Sequence, residues 1–186
     1  MSDLYKMKKT EKGQIVEILA TSPLYQKELP FFDHKHDELT WKIQQRRYSL
    51  FDGFLVGEHQ GLDNFSLGQR KGLNIGGKQQ PLYVIGIDRK ENRLFVGQGD
   101  THPGLFRSTF QFSENGFQYQ SDSLQQYSLL EQGCEIEISS PFQEEMIQAK
   151  LYKFGIELFL EYFTPILIRI ENYPIQIYYQ QQLFAN

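Results

Sequence analysis

GEHQGLDNFSLGQRKGLNIGG, residues 57–77, says more about the architecture of this 186-residue chain than any other segment. Glycine recurs in it at positions 57, 61, 68, 72, 76 and 77, with short apolar runs between the glycines. Glycine adopts positive φ angles and allows close backbone approach, so this spacing is typical of short strands joined by tight turns. The segment therefore predicts β structure.

The strand pattern continues on the C-terminal side. PLYVIGID (81–88) and RLFVGQG (93–99) are strand-like runs, and the residues between them predict a hairpin turn. The many aromatic side chains and the low alanine content agree with this, because aromatic residues suit a pleated surface. Further strands are predicted at Ser108–Phe112, Phe117–Gln120, Cys134–Ser139, Met146–Phe154, Ile156–Phe163, Ile166–Glu171 and Ile175–Tyr179.

The N-terminal side has a weaker pattern. Gln14–Leu19 suits either a short helix or one strand, and Ser22-Pro23 interrupts it. A short helix is predicted at Asp37–Arg47, with Asp37 as its N-cap and Leu39 on its inward face.

These elements predict a mainly β chain: a small β domain followed by a C-terminal β-barrel, with a short mixed or helical N-terminal extension. The expected divisions are 1–48 for the extension, 49–110 for the central β domain and 111–186 for the barrel.

The glycine-rich segment also carries a family resemblance. It is followed by Pro81-Leu-Tyr-Val84 and then by Val96-Gly-Gln-Gly-Asp-Thr-His-Pro103 and Leu105. This order resembles the central domain of the tRNA-specific 2-thiouridylases, with its GxHxG, GQRKGLxIGG, PxYV and VxQGxxHPxL motifs. The match covers about Asp52 to Arg107.

The resemblance implies that the C-terminal half is the β-barrel of this family, of the kind also found in aminomethyltransferases. Cys134-Glu-Ile-Glu-Ile138 lies where the family has a Cys-containing strand, and Phe159-Leu-Glu161 resembles another family strand. The basic Arg-Tyr-Arg-Gln motif of the family is replaced here by Ser139-Ser-Pro-Phe-Gln143. RNA contacts made through that motif are therefore not expected.

The residues needed for thiouridylase chemistry are not found in this sequence. The resemblance implies an ATP-binding S-G-G-x-D-S loop and two catalytic cysteines, whereas the chain has no such loop and a single cysteine, Cys134. Neighbouring Glu135 and Glu137 should raise the pKa of that thiol, so it is interpreted as a small, half-buried apolar residue. We therefore predict no catalytic residues and no cofactor, and favour a chain that does not catalyse thiolation alone.

His34, His36 and Asp37 are spaced so that they could approach one metal ion. No cysteine and no further histidine cluster supports such a site, so a polar loop is the preferred interpretation and no metal is predicted.

The motif residues divide into structural and RNA-binding candidates. The GQRKG turn is interpreted chiefly as a structural corner with Arg70 bonded to backbone carbonyls; RNA contact is the alternative for Arg70 and is equally favoured for Lys71. The structural candidates are His59, Gly68, Gln69, Gly72, Gly76, Gly77 and His102, and the RNA-binding candidates are Arg70, Lys71, Lys78, Arg46 and Arg47.

Charge is distributed unevenly and leaves two functions open. The net charge is −4, yet Thr40–Arg93 contains nine Lys/Arg against five Asp/Glu. A local anionic partner such as tRNA is one explanation, and a solvated surface is the other. The first hypothesis is a tRNA-interaction module or accessory subunit that works with a separate catalytic thiolase chain. The alternative is a protein-interaction scaffold that has lost RNA binding, with Tyr173, Tyr178, Tyr179 and Phe184 as interface candidates.

The sequence predicts a cytoplasmic protein with no membrane association. Its longest apolar stretches are about seven residues, well short of the roughly 20 that span a bilayer. The first residues are polar, unlike a signal peptide, and a single cysteine cannot form an internal disulfide.

Overall fold

A computed structural model describes residues 11–44, 47–113, 130–179 and 182–185. The chain is mainly β, as the sequence predicts, and the described ranges contain ten strands in two sheets and the α-helix α1. The helix is Lys35–Gln44. The strands are β1 (Gly13–Glu17), β2 (Phe54–His59), β3 (Leu82–Asp88), β4 (Arg93–Gln98), β5 (Phe106–Ser113), β6 (Cys134–Ser140), β7 (Gln143–Phe154), β8 (Glu157–Leu167), β9 (Gln176–Tyr179) and β10 (Gln182–Ala185).

The first sheet contains four strands in the order β2-β1-β4-β3. β1 settles the ambiguity of Gln14–Leu19 in favour of a strand, which pairs antiparallel with β2 and parallel with β4. The predicted hairpin between β3 and β4 is present, and Asn92 closes its turn with a φ of 52°. Ile15, Val84 and Val96 are among the buried residues of this sheet.

The second sheet contains six strands in the order β10-β9-β6-β7-β8-β5, all antiparallel to their neighbours. Alternation along β6 buries Cys134, Ile136 and Ile138, as a period-two pattern requires. Closing this sheet into a barrel would need pairing between β10 and β5, and the described strands show no such ladder. In the described part of the chain the expected barrel is therefore an open sheet.

Helix α1 begins two residues earlier than predicted, and Arg47, its predicted last residue, is not helical. Asp37 consequently lies in the first turn, where its charge favours the helix N-terminus, and is not the N-cap. Leu39 is fully buried, as predicted, and packs against Tyr152 and Phe159 of the second sheet.

One predicted strand is wrong. Ile166 and Leu167 end β8, but Ile168–Asn172 forms a 3₁₀ turn. Both Ile168 and Ile170 are buried, so the segment shows the alternation of a strand. They enter different cores, because Ile168 packs with residues of the first sheet and Ile170 with residues of the second. The alternation thus comes from a turn that joins two cores. The strand predicted at Phe117–Gln120 lies outside the described residues.

The divisions at residues 48 and 110 stay a prediction. Residues 1–48 do supply β1, which lies inside the first sheet, and α1, which packs on the second. None of the helices in the described ranges could span a bilayer.

Candidate nucleic-acid interface

Residues 68–77, called the corner below, cover the outer edge of β3. The N–H of Gly68 donates to the carbonyl of Val84 at 2.8 Å, and the N–H of Val84 donates to the carbonyl of Gln69 at 2.9 Å. An edge strand presents unpaired backbone groups, and the corner satisfies those of Val84 in β3 in the manner of a short extra strand. The GQRKG sequence is therefore attached to the first sheet at its N-terminal end.

Gln69 holds the turn in shape. Its Oε1 accepts from the N–H of Ser66 at 3.0 Å, and its Nε2 donates to the carbonyls of Asn64 and Lys71 at 3.3 and 2.9 Å. One amide side chain thus satisfies three backbone groups. Such a set of bonds needs both a donor and an acceptor, which glutamine has and glutamate at neutral pH lacks.

Three of the four glycines singled out in the corner adopt left-handed backbone. Gly68, Gly72 and Gly77 have φ angles of 75°, 87° and 75°, whereas Gly76 has no positive φ. Gly68 also has a packing role, because a Cβ there would lie 2.9 Å from the Cβ of Arg169. The corner is therefore pressed against the turn that joins the two cores.

His59 and His102 make the same local structure in two places. In each, ring Nδ1 accepts from the N–H of the glycine two residues later, Gly61 at 3.1 Å and Gly104 at 3.0 Å. The other ring nitrogen must then carry the hydrogen, and it donates to a distant carbonyl. For His59 that carbonyl belongs to Asn92, at 3.3 Å, and for His102 it belongs to Ile18, at 3.0 Å.

Both rings lie close to the Cα of a glycine. A Cβ at Gly13 would collide with the imidazole of His59, and a Cβ at Gly97 would collide with that of His102. Both histidines are buried. The structure therefore places them as ties between loops and strands, away from solvent.

The basic candidates fall into two groups. Arg70 and Lys71 are exposed, and their side chains have no hydrogen bond or ion pair with any residue in the described ranges. The bonds predicted from Arg70 to backbone carbonyls are not seen among the described residues, where Gln69 donates instead to the carbonyls of Asn64 and Lys71. Lys78, in contrast, pairs with the carboxylate of Glu17, whose side chain is only 6% exposed. Arg47 is exposed, and Arg46 lies outside the described residues.

A cleft of about 760 Å³ lies beside the corner. Ser66 and Leu67, the residues immediately before the corner, form part of its wall, and the amide of Asn172 donates to the carbonyl of Leu67 at 2.8 Å. The other residues that line the cleft are Ile43, Arg47, Tyr48, Phe65, Gly86, Ile87, Asp88, Arg89, Phe95, Arg107 and Glu171. The cleft therefore joins the end of α1, the β3 side of the first sheet and the start of the second sheet.

The carboxylates in the cleft are satisfied within the protein. Glu171 pairs with the guanidinium of Arg107 at 2.9 Å. Burial raises the pKa of Glu171 above its ordinary value, and Arg107 opposes that rise. Asp88 accepts from the N–H groups of Lys90 and Glu91 in its own turn, at 2.9 and 3.1 Å. An anion entering the cleft would meet carboxylates that already have partners.

The environments of Cys134 and His36 do not favour nucleophilic or metal chemistry. Burial, with Glu135, raises the pKa of the Cys134 thiol, the unfavourable direction for a nucleophile. His36 bonds to Glu157 at 3.0 Å, and in the described ranges no three His, Cys, Asp or Glu side chains are grouped as a metal site.

Comparison with known proteins confirms the family resemblance. Residues 42–98 match the family model described as tRNA methyl transferase PRC-barrel domain. The chain is 31% identical over 157 residues to the tRNA-specific 2-thiouridylase MnmA of Karelsulcia muelleri, which covers 84% of this chain and 38% of that protein. The chain is a relative of the tRNA-specific 2-thiouridylases.

Two further thiouridylases agree. That of Flavobacterium johnsoniae is 28% identical over 178 residues, which is 95% of this chain and 44% of that protein. That of Christiangramia forsetii is 44% identical over 99 residues, which is 53% of this chain and 25% of that protein. The chain thus spans less than half the length of these thiouridylases, and the match extends beyond the corner into both sheets.

Sequence reasoning missed two groups of surface residues in this thiouridylase relative. The cleft wall includes Phe65, Arg89 and Arg107, which come from separate segments and share no local pattern. Exposed apolar side chains lie at Phe51, Phe54 and Leu55, which are 96%, 61% and 59% exposed around the edge strand β2. A sequence indication existed for the second group, because LFDGFL places large apolar residues on both sides of an Asp-Gly turn.

Proposed function

We propose that this chain is a tRNA-interaction module that acts in wobble-uridine thiolation without carrying the catalytic residues itself. The observation that supports this most directly is the state of the corner, where Arg70 and Lys71 are exposed and lack a carboxylate partner in the described structure. Cations without an internal partner are free to exchange counterions for the phosphates of RNA.

The structural role of the rest of the motif supports the proposal. Gln69 and the left-handed glycines Gly68 and Gly72 fix the backbone on either side of Arg70 and Lys71. Pre-organised cations lose less freedom when they bind than cations on a loose loop. The tRNA-specific 2-thiouridylases that the chain resembles act on tRNA, which makes tRNA the proposed polyanion.

A separate chain would supply the chemistry. The ATP-binding loop and the cysteine pair that the resemblance implies are not in this sequence, and Cys134 is buried with a raised pKa. We propose a partner that binds ATP and carries the persulfide cysteine, while this chain holds the tRNA.

A salt titration of tRNA binding tests the proposal. Wild-type protein should retain tRNA on a filter, with log K falling against log[salt] at a slope of roughly −3 to −4 if about four cations meet phosphates. The Arg70→Ala/Lys71→Ala variant should flatten the slope by about 2 and leave stability within about 0.5 kcal/mol of the wild type.

Lys150→Ala is the matched control. It removes one positive charge from the second sheet, where Lys150 makes only a 3.7 Å pair with exposed Glu135, and should change neither the slope nor the stability by much. Absence of tRNA retention by the wild type at low salt would exclude direct RNA binding.

The protein-interaction scaffold is the second candidate, and a different observation favours it. Phe51, Phe54 and Leu55 are exposed beside β2, an edge strand that pairs only with β1 in the described structure. Exposed apolar groups on a free edge are typical of protein contacts. A protein partner that is lost from Phe51→Ser/Phe54→Ser but kept by Arg70→Ala/Lys71→Ala would support this function. Of the tyrosines predicted as interface residues, Tyr178 and Tyr179 suit it less because they are half-buried, whereas Tyr173 is exposed.

A further inference from the structure

The cleft beside the corner has the chemistry of a binding site that the thiolation reaction does not require. Its volume of about 760 Å³ lies within the range of roughly 300–1,000 Å³ that is common for small-ligand sites. Its wall combines apolar side chains with three arginines. We infer that the cleft takes a single unpaired RNA nucleotide, with the base against Phe65 and the phosphate between Arg47 and Arg89. This inference rests on the proposed function and names the form of RNA that is bound.

Phe65 is the aromatic side chain in the cleft that a base could reach. Tyr48 and Phe95 also line the cleft, but both are buried. Phe65 is half-buried, with its ring set edge-on to the ring of His59 at a centroid distance of 6.1 Å. Stacking of a base on such a ring is favourable for every base, because each has a π face.

The arginines on the cleft wall differ in how firmly they are held. Arg107 is paired with Glu171 and is largely buried. Arg89 pairs with Asp63 at 2.8 Å, but both side chains are about two-thirds exposed, so the pair contributes little and a phosphate can replace it. Arg47 is exposed and has no carboxylate partner in the described structure. Arg47 and Arg89 are therefore the side chains available to an incoming anion.

The form of the RNA follows from the shape of the site. A base inside a duplex is stacked on both faces, so its ring cannot lie against a side chain in a cleft. Only two residues of the sequence separate Ser66 and Leu67 of the cleft wall from Arg70 and Lys71. RNA whose backbone is held at the corner would therefore place a neighbouring unpaired nucleotide close to the cleft.

Binding of fluorescently labelled pentauridylate, measured by anisotropy on the full chain, tests the inference. The wild type should bind pentauridylate more tightly than a five-base-pair RNA duplex. Phe65→Leu keeps an apolar side chain but removes the ring face, and should weaken pentauridylate binding by about five-fold or more. Phe163→Leu, an exposed phenylalanine on β8, is the matched control and should bind as the wild type does.

If Phe65→Leu folds poorly, the Arg47→Ala and Arg89→Ala variants still test the inference. Both arginine side chains are exposed, so their removal should not disturb folding. Each should weaken pentauridylate binding and leave the thermal unfolding temperature unchanged. Equal binding of pentauridylate by the wild type and by folded Phe65→Leu would overturn the inference, as would wild-type affinity in both arginine variants.

The inference and the proposed function can fail separately. Retention of tRNA that depends on Arg70 and Lys71 but not on Phe65, Arg47 or Arg89 would leave the function and exclude the cleft. Pentauridylate binding that depends on Phe65, in a protein that does not retain tRNA, would leave the cleft and exclude the tRNA module.

Discussion

The corner and the contact between α1 and β8 both contain two cations, but the two regions use them in opposite ways. Under α1, Lys35 and Lys42 both contact Glu38 and Glu161, an arrangement called the helix clamp below. In the corner, Arg70 and Lys71 have no carboxylate partner among the described residues. A basic residue in this chain is therefore a candidate for the proposed RNA contact only where the fold has not already neutralised it.

The helix clamp neutralises its charges at a half-buried position. Burial works to raise the pKa of Glu161, but the hydrogen bonds from Lys42 and Lys35 outweigh it and leave the pKa below its ordinary value. The hydroxyl of Tyr152 adds a bond to Glu161 at 3.3 Å, and burial, with Glu161 nearby, raises the pKa of Tyr152 to about 12. The clamp thus fastens α1 to the second sheet next to the buried Leu39.

The largest expected effect on stability comes from Lys78. This lysine lies just beyond the corner, but like the lysines of the helix clamp it is paired with a carboxylate. Lys78→Ala leaves the buried carboxylate of Glu17 without its cation and should lower the free energy of unfolding by about 3 kcal/mol. Urea denaturation measures this. The double variant Glu17→Gln/Lys78→Met removes both charges and should recover most of the loss. A Lys78→Ala protein as stable as the wild type would place Lys78 with the free cations instead.

Glu161→Gln should have the next largest effect. It removes the charge that Lys35 and Lys42 share and should cost about 1–2 kcal/mol at pH 7 in urea denaturation. Because the pKa of Glu161 is lowered in the folded protein, its contribution is present above the ordinary value of 4.5 and is lost as the pH falls through the folded value. Glu144→Gln, an exposed glutamate on β7, is the control, and an equal loss in both variants would contradict the clamp.

The smallest expected effect on stability comes from His36, in the first turn of α1. The hydrogen bond with Glu157 raises the pKa of His36 above 6.5, against a lowering by burial, with a further rise from Asp37. The contribution to stability is therefore complete below about pH 6.5 and lost as the pH rises through the folded value. It should stay under about 1 kcal/mol, because both side chains are more than a third exposed. Thermal unfolding between pH 6 and 9 should show this dependence in the wild type and in His34→Gln but not in His36→Gln.

The sequence predicted what is decided locally. The β3–β4 hairpin, the strand β6 and the glycine turns of the corner each depend on residues within a few positions of one another. Ile166–Glu171 was predicted wrongly, because alternating burial in one strand and in a turn between two cores look alike in sequence. The partner of Lys78 lies 61 residues away on β1, so no local pattern could show that this lysine is already paired.

Prediction of the candidate binding cleft from the sequence meets the same limit. Its wall is assembled from α1, the segment before the corner, the ends of β3 and β5 and the turn after β8. Among the predicted RNA-binding residues that the structure describes, Arg47 alone lines it. The motif was recognised because it is contiguous, and the cleft was missed because it is not.

The two buried imidazoles have a consequence for how this protein can change. Each ring occupies space that a Cβ would need at a glycine, His102 at Gly97 nearby in the sequence and His59, together with the carbonyl oxygen of Asn92, at the distant Gly13. In each pair, the histidine ring occupies volume that a side chain at the glycine position would also need. Scanning one position at a time would score all four residues as intolerant and hide the pairing. At Gly97 the three nearest atoms all belong to His102, so paired replacement, with a smaller residue for the histidine and alanine for the glycine, offers a route by which a descendant could exchange them. At Gly13 the carbonyl oxygen of Asn92 would still block a side chain.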